Sequence, residues 1–203
     1  MLWGVKWYYW LLLVLMCIAA IFVWQKALKA SKARRERLKK EAEIWRRDFE
    51  LRENYRELSQ EIIFSAPTAE LLHGVAMNIQ IKLENAPNME KAFNALPLEK
   101  KYIYTLEYFD EDAKKSLSTF FKNNGEPLLG LASPALSAVG LFEISDICGE
   151  IYPMYDPESD VSIDREKVAF ADEKFKQVYD SQALLCAASD YIKQNKEIFL
   201  ENN

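Results

Sequence analysis

The sequence predicts an all-α protein: a single N-terminal transmembrane helix, a helical stalk, and a cytoplasmic helical-bundle domain. Three observations carry that reading. Residues 7–24 read WYYWLLLVLMCIAAIFVW, eighteen residues without a charge, a glycine or a proline. From Gln25 to Phe64 neither glycine nor proline occurs, and Ala, Lys, Arg, Glu and Leu dominate, all good helix formers. Beyond Ser65, proline and glycine punctuate apolar residues spaced three and four apart, and no alternating run is long enough for a strand.

The first element is the membrane helix. At about 1.5 Å per residue the apolar run covers roughly 27 Å, close to the hydrocarbon thickness of a bilayer. Trp3, Trp7, Tyr8, Tyr9 and Trp10 stand at one end and Phe22 and Trp24 at the other, where amphipathic rings settle at headgroup depth. Eight basic residues follow: Lys26, Lys29, Lys32, Arg34, Arg35, Arg37, Lys39 and Lys40, against one acid, Glu36. The other flank holds only Lys6 and the amino terminus. The positive-inside bias therefore predicts a single-pass protein of the bacterial inner (plasma) membrane, N-terminus out, with everything after residue 25 in the cytoplasm. A cleaved signal peptide carries its basic residues before the apolar core, so the reversed order here argues for a retained anchor. Cys17 follows Leu15 and Met16, not the small residues of a lipoprotein signal. The basic collar suits an anionic inner-leaflet surface, at about 1 kcal/mol per basic residue near the headgroups. A solvated helix face carrying only the topology signal is the plainer account of the same residues.

The second element is the stalk. The chain divides into an anchor (1–25), a basic helical stalk (26–64) and an acidic all-helical domain (65–203). Residues 25–60 carry twelve Lys/Arg against seven Asp/Glu, a net of +5, and residues 61–203 carry thirteen against twenty-four, a net of -11. The acidic balance argues against direct nucleic-acid binding by the domain. Glu36–Lys40, Glu43–Arg47 and Asp48–Arg52 stand four apart with the acid first, the favourable order. Leu51, Tyr55, Leu58 and Ile62 form an apolar strip at spacings of 4, 3 and 4. It fits a short coiled-coil seam, which leaves a homo-oligomer through the stalk open, or docking on the domain, which is simpler.

The remaining elements follow from punctuation. Ser65-Ala66-Pro67 interrupts the helix, and Pro67 suits the first turn of the next, which runs to Asn85 with Leu71, Leu72, Val75, Ile79 and Leu83 facing a core. After the break at Pro87 comes a shorter helix, and then Pro97 opens one with Tyr102, Ile103, Leu106 and Phe109 on its apolar face. Asp110-Glu111-Asp112 is expected to begin a further helix, with acids at its positive end and Leu117, Phe120 and Phe121 buried. Asn123-Asn124-Gly125 ends it. Ser133-Pro134 reads as the cap and first turn of a helix through Ile151. Tyr152 to Asp164 is a polar loop, and helices over 165–179 and 182–201 close the chain.

The chain holds few residues suited to catalysis or metal binding. The chain has one histidine, His73, inside an apolar helical stretch, where a partly buried polar residue is the plain reading. Its three cysteines, Cys17, Cys148 and Cys186, have neither metal nor redox spacing. Six unclustered glycines offer no phosphate-cradling loop. Asp156, Glu158, Asp160, Ser162 and Asp164 alternate as in a calcium loop, but Val161 stands where that loop needs glycine and Lys167 where a bidentate Glu belongs. A solvated acidic loop is the better reading, and no cofactor or metal is expected.

Residues 102–200 carry Phe120-Phe121-x-Asn123-x-Gly125, then Ala135-Leu136-x-x-Val139-Gly140, then Asp172-x-x-Phe175 with Tyr179, Tyr191-Ile192 and Phe199. In these positions the chain resembles the DNA-mimic protein 19 family of small bacterial helical domains. Asp112-Ala113-Lys114-Lys115 stands where the family shows an Asn-Gly-Gly-Phe-like step. The resemblance implies an all-helical domain that works by binding a protein partner.

The functional expectation is a membrane-tethered interaction module for a basic or membrane-associated protein. Its contacts are expected among exposed acids at helix ends and in the loop: Asp110, Glu111, Asp112, Asp156, Glu158 and Asp160. The collar residues Lys26 to Lys40 would meet the membrane surface. Two rival classes are an immunity protein that neutralises a basic toxin and an enzyme working through carboxylates alone.

Overall fold

The computed structural model describes the backbone of residues 7–156, 161–162 and 164–200; within residues 7–33 it describes the side chains of Leu15, Met16, Trp24, Lys26, Lys29, Ser31 and Lys32 only. The fold is all-helical apart from one minimal antiparallel pair, β1 (Tyr155–Asp156) with β2 (Val161–Ser162). The helices are α1 (Trp7–Asn54), α2 (Gln60–Ser65), α3 (Thr68–Glu84), α4 (Met89–Ala95), α5 (Leu98–Ala113), α6 (Leu117–Asn123), α7 (Leu128–Ala138), α8 (Phe142–Ile151), α9 (Arg165–Val178), α10 (Ser181–Gln194) and α11 (Lys196–Leu200).

Two units divide the chain, residues 1–50 and 51–203. In the first, the helical backbone runs unbroken from Trp7. Among the described residues no helix is long and apolar enough to cross a membrane. Most side chains of residues 7–24, on which the anchor expectation rests, lie outside the described residues. From Arg34 to Arg47 every residue of α1 is exposed.

The second unit begins at Leu51, earlier than the boundary at residue 65 that composition marks. The physical reason is the apolar strip that runs from the last turn of α1 through the following turn into α2. Leu51 and Tyr55 are buried in the domain core, and Leu58 and Ile62 pack on it, so the strip docks on its own domain. Tyr55 lies against Gly74 of α3, where a methyl group would fall 2.3 Å from the ring. Asn78 donates from Nδ2 to the carbonyls of Tyr55 (2.8 Å) and Arg56 (2.9 Å), satisfying groups the helix end leaves open. Arg52 donates to Glu84, which holds the Glu84 carboxyl below its usual range. These contacts end α1 at Asn54 in a stretch that composition alone reads as continuous. Ser59 then caps α2 by accepting from the Ile62 N–H at 3.2 Å.

Central to the domain is α5, which packs against α3, α6, α7 and α10, while α8 bridges α7 and α9. Ile103, Leu106 and Phe109 of α5 are fully buried. The Phe109 ring meets Phe120, Phe175 and Tyr179 edge-on at centroid distances of 5.1, 6.0 and 6.2 Å, an arrangement that favours ring edges against ring faces. Asn88, Ser116, Asp164 and Asp180 are side-chain N-caps for α4, α6, α9 and α10.

Three expected boundaries are corrected. α5 runs through Asp110-Glu111-Asp112, and the next helix starts after Ser116, because Ser116 supplies the cap. Ser133-Pro134 lies inside α7, which starts at Leu128; Val139, Gly140 and Leu141 separate α7 from α8, with Gly140 at φ +85°, a left-handed backbone that suits glycine. The final helix is divided at Asn195, whose side chain donates to the Tyr191 carbonyl at 2.9 Å.

Candidate functional site

The expected partner-binding acids fare unequally. In the last turn of α5 they face the negative end of the helix dipole, so each needs local compensation. Asp110 is 4% exposed and therefore is not a surface contact. One of its oxygens accepts from Tyr179 Oη and Ser181 Oγ, both at 2.6 Å, and the other meets Lys114 Nζ at 2.6 Å. Asp112 accepts from the side-chain amides of Asn123 (2.8 Å) and Asn124 (2.9 Å), with Lys115 Nζ at 3.5 Å. These two acids tie α5 to the elements that follow it. Glu158 and Asp160 lie outside the described residues, and Asp156 is described only as backbone in β1. Asp164, at the end of the calcium-like pattern, caps α9 by accepting from the Lys167 N–H at 3.1 Å, and this holds its carboxyl below the usual range.

Glu111 alone of the α5 trio stays exposed. Partial desolvation pushes its carboxyl above the usual carboxylate range, and Glu107 one turn earlier adds to the shift. His73 reaches across from α3 and pairs with Glu107 through Nδ1, so the lone histidine is a half-buried helix-to-helix link. Because the native state disfavours the Glu111 charge, through desolvation first and repulsion second, ionising it destabilises the fold above the folded-state pKa, and the penalty vanishes below the unfolded value. Glu111→Gln is therefore expected to raise stability by about 0.5 kcal/mol at pH 7, the size of one like-charge pair four apart. Urea titrations at pH 7 and pH 4 check this: the gain should be present at the first and absent at the second.

The eight collar residues, Lys26, Lys29, Lys32, Arg34, Arg35, Arg37, Lys39 and Lys40, are all exposed on α1. Among the described residues there is no group of three or more His, Cys, Asp or Glu placed to hold a metal.

Concave surface with mixed chemistry occurs elsewhere, in a groove of about 600 Å³. The end of α3 contributes Leu83, α4 contributes Met89, Glu90, Phe93 and Asn94, α5 contributes Tyr104, and the turn into α7 contributes Gly125 to Leu128, including the cis Glu126–Pro127 bond. Its floor is aromatic: Phe93 meets Tyr104 edge-on at 5.6 Å, and Tyr104 Oη lies 3.1 Å from Tyr108 Oη. Burial, and then the Tyr108 hydroxyl, push the Tyr104 phenol up, so it stays neutral. Its mouth is acidic, with Glu90 and Glu126 both exposed. Glu126 is held in place, accepting from Tyr152 Oη at 2.5 Å and from the Gly130 N–H at 3.3 Å. Met89 is an exposed, flexible thioether at the rim.

Sequence reasoning missed this groove because its residues lie far apart in the chain, at Leu83, in the short helix from Met89, at Tyr104 and in the Gly125–Leu128 turn, and no local pattern joins them. The available signal was an apolar methionine beside an acid at a helix start. The residues that carry the DNA-mimic protein 19 resemblance occupy structural places. Phe120, Phe121, Ala135, Leu136, Phe175, Ile192 and Phe199 are buried, and Asp172 accepts from the Ser118 N–H and Oγ at 2.9 and 2.6 Å.

No family model, no curated protein sequence and no solved structure matches the chain.

Proposed function

We propose that this chain is a membrane-tethered interaction module whose acid-rimmed groove seats a basic, amphipathic segment of a protein partner. The observation that carries the reading is the groove itself: an aromatic and aliphatic floor between two exposed carboxylates, in a domain of net charge -11 over residues 61–203. Its size, about 600 Å³, suits two or three anchoring side chains. A helix laid in a groove presents such anchors at i, i+3 and i+4, and lysines or arginines beside them would meet Glu90 and Glu126. The pre-set Glu126 carboxylate and the aromatic floor lower the ordering cost of binding.

The tether is the other half of the proposal. Residues 7–24 form the anchor in a bacterial inner membrane, the collar faces the anionic inner leaflet, and the domain works in the cytoplasm. Confinement to two dimensions raises the effective concentration for a membrane-associated partner. Sodium carbonate washing of native membranes tests the anchor: the full chain should stay in the pellet, and release to the supernatant would contradict it.

The groove is tested with the full chain in phosphatidylcholine nanodiscs and two probe peptides, a Leu/Lys amphipathic helix and its Leu/Glu counterpart. Calorimetry is expected to show binding of the first only. Glu90→Lys should weaken it about tenfold, or 1.4 kcal/mol, while Glu143→Lys, the same charge change on α8, should weaken it far less. Equal losses for the two variants would show that net charge alone attracts the peptide, and would sink the groove reading.

A further inference from the structure

We infer that two copies of this chain pair in parallel through an apolar seam on the exposed part of α1, formed by Leu38, Ala42, Trp45 and Phe49. The spacing 4, 3, 4 is that of alternating core positions in a two-stranded coiled coil. On a helix turning about 100° per residue these four fall within a narrow face. Leu38 is 54% exposed, Trp45 75% and Phe49 65%, three large apolar groups gathered on one face, while Ile44, also exposed at 60%, stands off the seam. A basic stalk that served only as a solvated spacer would need none of them.

Charge around the seam fits a second copy. With Leu38 and Trp45 at the d positions and Ala42 and Phe49 at the a positions, Glu41 takes g and Arg46 takes e. In a parallel pair, g of one helix meets e of the next heptad on the other, so Glu41 of each copy stands beside Arg46 of its mate, an opposite-charge contact made twice. Arg46 already has Glu50 of its own helix at 3.7 Å, so the mate's Glu41 would complete an acid–base–acid row. The like-charged combinations fall at the two ends: Arg34 with Lys39, and Asp48 with Glu53. Arg35 and Ser31 take the core positions further back, so the apolar section is bounded at four layers.

Four layers are too few for a stable coiled coil of free peptides. The inference therefore rests on the proposed tether in one respect: copies in one bilayer emerge parallel, with equal residues at equal heights, and meet at high effective concentration. Trp45 then faces Trp45 and Phe49 faces Phe49, a self-complementary two-fold contact.

Cysteine scanning of the full chain in native membranes tests this. In a Cys17→Ala, Cys186→Ser background, with Cys148 retained because it is buried, single cysteines are placed from Leu38 to Phe49 and oxidised. Disulfide-linked dimer is expected to peak at positions 38, 42, 45 and 49 and to fall at least fivefold at 40, 43 and 47. Cross-links at both 38 and 49 require the parallel arrangement; peaks confined to the middle of the scan would overturn it. Uniform cross-linking at all positions, or none, would overturn the seam. Trp45→Glu should abolish the dimer at position 42 without moving the melting temperature of the domain, which separates loss of the seam from misfolding. Carbonate washing of the same samples reads the tether independently. A periodic scan in a washed-off chain would keep the seam and reject the anchor, and a flat scan in a retained chain would do the reverse.

Discussion

Asp110→Ala is expected to lower the stability of the domain by about 3 kcal/mol, the scale for removing one partner from a buried, charge-assisted network. Three donors converge on this carboxylate: Tyr179 Oη, Ser181 Oγ and Lys114 Nζ, each at 2.6 Å. Removing it strands two half-buried hydroxyls, while Lys114 is exposed enough to regain water. Asp110→Asn keeps an acceptor for the hydroxyls and should cost less than half as much. Urea denaturation of the full chain in detergent gives both numbers, and an unchanged midpoint for Asp110→Ala would refute the structural role assigned here.

The same network sets a pH dependence. Burial first, and then the hydrogen bond to Asp110, push the Tyr179 phenol up, and burial takes Tyr155 up to about 12. A raised phenol contributes stability that is fully present below the unfolded value near 10 and is lost as pH rises toward the folded value. The domain should therefore weaken from about pH 10 upward, and Tyr179→Phe should flatten that decline.

Gly74→Ala should destabilise the domain by about 1–2 kcal/mol, even though alanine is the better helix former by about 1 kcal/mol. The new methyl group would sit 2.3–2.4 Å from three atoms of the Tyr55 ring, and Tyr55 is buried, with little room to retreat. Tyr55→Ala alone should cost about 3 kcal/mol through the cavity it leaves. The decisive observation is the double variant. With Tyr55 already truncated, Gly74→Ala has nothing to strike and only its helix propensity remains, so it should become neutral or stabilising. The same loss in both backgrounds would mean that the ring is not what requires glycine at this position.

Apolar periodicity identified most of the core faces of α3, α5 and α6, because burial of Leu71, Leu72, Val75, Ile79, Ile103, Leu106, Phe109 and Phe120 depends only on which side of a helix they share; on α5 it also marked Tyr102, which is half-buried, and passed over the buried Tyr104. Helix ends were less legible. Asp110 looks like a first-turn acid in sequence, yet it lies in a last turn, because the hydroxyls of Tyr179 and Ser181 arrive from about seventy residues away. Pro134 looks like a first-turn residue, but α7 had already begun at Leu128. The groove was invisible for a related reason. Met89, Glu90, Phe93, Tyr104 and Glu126 belong to three elements and acquire a common purpose only when α4 and the Gly125–Leu128 turn meet over α5.

Partner seating in the groove is tested by site-specific photocross-linking of the intact chain in native membranes, with benzoylphenylalanine at position 89 or, as the comparison, at position 142, an exposed aromatic outside the groove. A discrete protein adduct is expected at 89, none at 142, and it should be lost when Glu90→Lys is added. Equal adducts at the two positions, or an adduct at 89 indifferent to Glu90→Lys, would contradict that seating.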